Sequence, residues 1–174
     1  MQVNIAYPIQ TTFMDYMDNK SQAVLIFFMG CEHNCAGCHN SQFQNRNIES
    51  EYVKIFDVLE LQDIIIDIAK RNYTDKIVFS GGDPLYRDNL EEVKYLLYTL
   101  KQKGLKVTLY TGYDFKYVTM NNVRGYEYIK CGPYIESLKQ SAIKTDKMFV
   151  LSSKNQEVYN SKGELISNLG IVHF

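Results

Sequence analysis

Cys31, Cys35 and Cys38 lie within eight residues, and a fourth cysteine, Cys131, stands alone far downstream. Thiolates this close can reach one metal centre, because the loop between them is short enough to curl and Gly37 eases the curl. Three metal readings compete. A structural zinc would take His33 or His39 as the fourth ligand of a Cys3His set, although zinc fingers usually present two ligand pairs at longer separation and no second pair is present. Covalent haem fits Cys35-Ala36-Gly37-Cys38-His39 as C-x-x-C-H, yet it leaves Cys31 without a role and is expected in exported proteins. An iron–sulfur cluster on three cysteines leaves one iron without a protein ligand, a position suited to a bound substrate. The bland alternative, thiols packed as small hydrophobes, fits poorly with three in eight residues beside a glycine.

A second constellation is Gly81-Gly82-Asp83-Pro84. Glycines let the backbone approach a ligand closely, and carbonyl oxygens with a nearby carboxylate suit an ammonium group. The same four residues are also good chemistry for a strand-to-helix turn.

Both constellations follow short apolar runs. Residues 23–29, with Val24, Ile26, Phe27 and Phe28, form a continuous run closed by Gly30-Cys31, as expected of a strand buried on both faces. Residues 76–80 form a second strand, stopped by the two glycines and Pro84. Residues 106–110 end at Thr111-Gly112, and residues 126–130 end at Cys131-Gly132-Pro133. Between them, residues 50–71 repeat Ile55, Val58, Leu59, Ile66 and Ala69 at helical spacing, with Ser50 as N-cap and Lys70-Arg71 near the C-terminus. Residues 89–103 place Leu90, Val93, Leu97 and Leu100 on one stripe that Gly104 closes. Strands alternating with helices predict right-handed crossovers and a mainly parallel sheet. Beyond them, residues 147–152 and 157–159 read as extended, with a turn at 160–163 into a last short strand. The expected architecture is an α/β fold, an open, partial parallel β/α barrel, because a full eight-stranded barrel takes about 250 residues. Ligands of such sheets gather outside the carboxyl ends of the strands, where the cysteine loop, the Gly-Gly-Asp-Pro loop and Thr111-Gly112 all fall.

The 174 residues fit one domain, 1–174, without linker or repeat. With 45% hydrophobic and 22% charged residues, disordered and low-complexity architectures are excluded. A net charge of -1 gives no positive field to hold a phosphate backbone, so no nucleic-acid partner is expected. The longest apolar run is far short of the roughly 20 residues needed to cross a bilayer, and the N-terminus shows no export signal. A cytoplasmic protein without a disulfide framework follows as an expectation.

The C-x-x-x-C-x-x-C pattern after a first strand resembles the signature of the radical S-adenosylmethionine (radical SAM) enzymes. That resemblance implies a 4Fe-4S cluster on Cys31, Cys35 and Cys38, its open iron chelated by the amino and carboxylate groups of SAM. Reductive cleavage of the sulfonium bond would release a 5′-deoxyadenosyl radical that abstracts a hydrogen atom, the protein supplying orientation and protection. Gly81-Gly82-Asp83-Pro84 is similar to the family's second motif, which binds the SAM amino group. Within the superfamily, F-x-x-G-C-x-H-x-C-x-G-C-x-N at 27–40, S-G-G-D-P-L at 80–85 and Tyr110-Thr111-Gly112-Tyr113 resemble the activating enzymes of anaerobic, class III ribonucleoside-triphosphate reductases. Ser152-Ser153-Lys154-Asn155-Gln156 resembles a Ser-Ser-Asn-Gln segment of that subgroup, interrupted here by Lys154.

By that resemblance the radical passes to a glycine of the large reductase subunit, and the electron comes from a donor such as flavodoxin. A partial barrel suits the task, since a protein loop needs a wide lateral entrance. Carried over by position, Gly37, Cys38 and His39 border SAM near the cluster. Gly82 contacts its methionine part, Gly81 and Asp83 belong to the same SAM-binding motif, and Thr111 reaches the ribose or carboxylate. His33 is read as a loop-structuring hydrogen bonder. His39 stands where the subgroup has Tyr, and imidazole can still stack on adenine. Cys131 stands where the subgroup has Asp and is read as a buried, unligated thiol. The subgroup's Gly-Pro-Gly stretch before the first strand is absent. Two other small radical SAM types share the initiation motif: activases of pyruvate formate-lyase-like targets, and 7-carboxy-7-deazaguanine synthases acting on a pterin. The 14 tyrosines are read as packing with wet hydroxyls.

Overall fold

In the computed structural model, which describes residues 1–18 and 20–174, the chain opens with two short strands that the sequence pattern did not signal. These are β1 (Gln2–Ala6) and β2 (Gln10–Thr12), followed by the expected apolar strand β3 (Ala23–Phe28). The helix expected over 50–71 is shorter: residues Val53–Asp57 form β4, and α1 spans Val58–Arg71. Asp57 is the true N-cap, its carboxylate accepting from the Leu59 amide at 2.9 Å, so Ser50 is not. Ile55 and Leu59, counted on the helical stripe, are exposed; the buried stripe is Val58, Leu61, Ile65 and Ala69. Then come β5 (Lys76–Gly81), α2 (Leu90–Gln102), β6 (Lys106–Tyr110), α3 (Phe115–Met120) and β7 (Tyr128–Cys131). The last of these starts and ends later than the expected 126–130, which brings Cys131 into the strand. The tail holds β8 (Ile143–Lys144), β9 (Met148–Val150), β10 (Glu157–Asn160), β11 (Ser167–Asn168) and β12 (Ile171–His173).

The main sheet has the order β10-β7-β6-β5-β3-β1-β4, with β2 paired to β3. Its centre is parallel: β3 with β5, β5 with β6, β6 with β7. Each parallel strand lies beside the preceding one, which is the order of a barrel sector. Antiparallel strands flank this centre, β1 and β4 on one side and β10 on the other, and the sheet does not close. The sheet is therefore less parallel than the alternation of elements predicted. A second, antiparallel sheet of order β11-β12-β9-β8 is built from the tail.

Strand alternation divides the side chains cleanly. Val24, Ile26 and Phe28, Ile77 and Phe79, Val107 and Leu109, and Ile129 and Cys131 enter the core shared with α1 and α2. There Phe28 and Phe79 meet edge to face at 5.0 Å, and Leu61, Ile65, Leu96, Leu97 and Leu100 cover them. Each such side chain contributes about 1.5–3 kcal/mol by leaving water. The opposite parity, Phe27, Ser80, Tyr110 and Lys130, lines a cavity at the carboxyl end of the parallel strands.

Candidate functional site

Three loops meet over that cavity, each leaving a parallel strand. The cysteine loop begins at Gly30, whose φ of +102° turns the chain out of β3. Its base is held by Gly30 donating to Phe43 O at 2.8 Å and Cys31 to Gln44 O at 3.0 Å, while Phe43 stacks on Phe27 at 4.8 Å. Inside the loop the Cys38 amide donates to Cys35 O at 3.2 Å. Gly37 takes φ +72°, a left-handed conformation that favours glycine.

The Gly81-Gly82 turn locks against this loop. The Gly82 amide donates to Phe28 O at 2.8 Å and the Asp83 amide to Gly30 O at 2.7 Å. A Cβ at Gly82 would fall 2.5 Å from both Gly30 O and Phe43 O. Its bareness thus lets two backbones pass.

Asp83 is the hub. Its side chain is 1% exposed and accepts from the Leu85 amide at 2.8 Å, the Thr111 hydroxyl at 2.9 Å and the Gly112 amide at 2.8 Å. His33 Nε2 lies 2.8 Å from the same carboxylate, tying the cysteine loop to it, the place expected for a loop-structuring histidine. The carboxylate therefore points into the protein, and the Thr111 hydroxyl expected to reach a ligand is engaged by Asp83. The Thr111 carbonyl accepts from Lys130 Nζ at 3.1 Å. Beyond His33 the network continues outward: its ring meets Tyr113 at 4.4 Å, and the Tyr113 hydroxyl donates to Glu32 at 2.5 Å.

Cys31, Cys35 and Cys38 all line the same cavity, of about 410 Å³, together with His39, Gly81, Gly82 and Thr111. All three thiols are partly exposed, and burial pushes the Cys31 thiol up to about 11. A structural zinc needs four donors on one ion. Among the described residues no three His, Cys, Asp or Glu side chains gather in that way. A cluster asks only that the thiols face one cavity, each taking a different iron, and the donor set fits that demand. His39 lies at 5.2 Å from the Tyr134 ring on the cavity wall. Cys131 is elsewhere: its parity places it in the helix-side core, 1% exposed, where burial pushes its thiol up to about 12. The Ser152 to Gln156 segment braces the loop after β7, Asn155 donating to Pro133 O at 2.9 Å.

Lys130 is the cavity residue that the sequence reading passed over. Its ammonium, buried on the inner face, donates to Thr111 O and Gly132 O at 3.1 Å each. Burial draws its pKa below the ordinary lysine value, opposed by the negative charge of Asp83 and the cysteines. The signal was its parity with Phe27, Ser80 and Tyr110.

An open α/β sheet with three thiols and two glycine-bearing turns at the carboxyl ends of its strands is the frame of a cluster-binding protein. The family model described as a 4Fe-4S single cluster domain matches residues 21–159, and the chain belongs to that family. It is 26% identical over 150 residues to the anaerobic ribonucleoside-triphosphate reductase-activating protein of Salmonella typhi, covering 82% of this chain and 91% of that protein. The protein of the same name from Escherichia coli K12 is 23% identical, over 79% of this chain and 87% of its own length. That of Enterobacteria phage T4 is 30% identical, over 59% of this chain and 64% of its own, somewhat under two thirds. Among the described residues no helix is long and apolar enough to cross a membrane.

Proposed function

We propose that the chain is a radical SAM activase of an anaerobic ribonucleoside-triphosphate reductase, acting as one domain whose open sheet is a partial radical SAM barrel. The observation that carries this reading is the convergence of Cys31, Cys35, Cys38, Gly81, Gly82 and Thr111 on one cavity at the carboxyl ends of parallel strands. Cys31, Cys35 and Cys38 would hold a 4Fe-4S cluster and leave one iron for SAM. When bound, the cluster and SAM supply a 5′-deoxyadenosyl radical by one-electron cleavage of the sulfonium bond, the electron coming from a donor such as flavodoxin.

The chain's own residues do the positioning. Gly81 and Gly82, packed closely on the backbone of β3 and the cysteine loop, offer backbone carbonyls to an amino group. Asp83 acts one step back, holding the Gly82 turn, the Thr111-Gly112 turn and, through His33, the cysteine loop in one register. Cys38 lines the cavity while Gly37, just before it in the loop, does not, and His39 beside Tyr134 offers a ring face to an adenine. Met14, Ala142 and Ile143, exposed residues of the cavity lining, offer apolar surface that suits entry of a glycine-bearing loop of the large reductase subunit.

Anaerobic reconstitution with iron and sulfide tests the reading. The expected result is a reduced cluster whose electron-paramagnetic signal changes on adding SAM, followed by a glycyl radical doublet on incubation with the large reductase subunit. A metal site indifferent to SAM, or SAM consumption only with a pterin, would overturn it.

A further inference from the structure

We propose that Lys130 is a ligand-binding residue of the cavity, its ammonium gripping the carboxylate of the amino-acid portion of SAM; this rests on the SAM reading above. Alternation in β7 sends Cys131 into the helix-side core and so sends Lys130 to the inner face, between Tyr110 and the loop after β7. Two of its three N–H donors are fixed by Thr111 O and Gly132 O. The third has no protein acceptor among the described residues, and no carboxylate pairs with the charge there. Asp83, the nearest candidate by charge, is already surrounded by the donors of Leu85, Thr111, Gly112 and His33.

A buried ammonium without a counter-ion is expensive, and the expense is offset when an anion arrives. The other cavity lysine, Lys144, has its partners in place: it donates to Phe13 O and Tyr16 O at 2.9 Å and lies 3.8 Å from Asp18. Lys130 is thus the cavity lysine that, among the described residues, has a donor to spare and no carboxylate within ion-pair distance. Its anchor, Thr111 O, belongs to the turn that Asp83 joins to Gly82. Lys130, Gly81 and Gly82 line one cavity, so an α-amino acid whose amino group met the glycine carbonyls would have its carboxylate held by Lys130 under this proposal. A charge-assisted hydrogen bond in such a site is strong and directional.

The test uses cluster-loaded protein under anaerobic conditions and equilibrium dialysis with two ligands, SAM and its decarboxylated analogue. The wild type is expected to prefer SAM. In Lys130→Met, SAM affinity should fall about tenfold or more while the decarboxylated analogue binds within about twofold of wild type, so the preference shrinks. Lys130→Arg should restore most of it. Equal loss for both ligands would make Lys130 a structural residue and overturn the proposal, as would an unchanged preference. The wild-type comparison needs no variant: equal affinity for the two ligands also overturns it. Absence of saturable SAM binding by the wild type is a separate result, and it would remove the SAM reading itself.

Discussion

On the helix side of the parallel strands stand Phe28, Phe79, Leu109 and Cys131, all at 1% exposure or less. One residue earlier or later, on the cavity side, the same strands carry Phe27, Ser80, Tyr110 and Lys130. The backbone that builds one face builds the other, yet the first row is uniformly apolar and the second mixes a hydroxyl, a phenol and an ammonium. Burial against helices rewards only volume and apolarity, whereas a cavity that must take a polar ligand requires donors and acceptors on a rigid support. Stability and recognition are thus separated by parity within single strands.

Substitutions on the two rows and their loops should separate in the same way. The largest effect is expected from Cys31→Ala, Cys35→Ala or Cys38→Ala, each abolishing SAM cleavage and most cluster binding while leaving the melting temperature of the metal-free chain nearly unchanged. Iron and sulfide content with a SAM-cleavage assay checks this; a single-cysteine variant that retains turnover would break the separation. Next, Phe79→Ala should lose about 3–5 kcal/mol of unfolding free energy, because a fully buried ring against Phe28 leaves a cavity. Urea unfolding measures it, and a loss below about 1 kcal/mol would show that the helix-side row is not the main support.

Asp83→Asn should fall between the rows and blur them. The amide keeps one acceptor oxygen but leaves fewer sites for the Thr111, Gly112 and His33 donors, a loss of about 1–3 kcal/mol at a buried position. Because it joins three loops, it should also weaken SAM binding, measured by dialysis, without preventing cluster assembly. Unchanged stability and unchanged binding together would remove Asp83 as the hub.

Much of this was legible in the sequence for a physical reason. Strands buried on both faces must be apolar throughout, so β3, β5 and β6 announced themselves, and the glycines that end them marked the loops. The cysteine and Gly-Gly-Asp-Pro loops were legible because few residue types can do their chemistry. The edges were not. β1 and β4 mix polar and apolar residues, as strands with one solvated face do. Ile55 shares a helical spacing with Val58 and Leu59 although it is exposed on a strand, so periodicity alone extended α1 backward past the Asp57 cap. Asp83 was legible as important but not in its direction: only the fold shows that its partners lie behind the turn, not in the cavity. Lys130 was hidden because lysine is ordinarily a solvated side chain, so its alternation with Ile129 in the expected strand did not mark it as a cavity residue.

Cys131 gives the smallest expected effect and the sharpest check on parity. If it belongs to the helix-side row, Cys131→Ala removes one buried sulfur, lowers stability by about 1 kcal/mol and leaves iron content and SAM cleavage intact. Its titration offers a second reading. The thiol is pushed from an ordinary value of 9.0 up to about 12 by burial, with the Lys130 charge opposing. The folded state therefore favours the neutral thiol, and the unfolded chain releases its proton first. The stability this residue supports is complete below pH 9 and is lost as the pH climbs from 9 toward 12. Buried tyrosines titrate in the same alkaline range, so the informative quantity is the difference between wild type and Cys131→Ala in urea midpoint as pH is raised. That difference should shrink with rising pH in the metal-free protein. If it stays flat, or if the alanine variant loses iron, Cys131 lies on the cavity side and the division of the strands into two faces fails at β7.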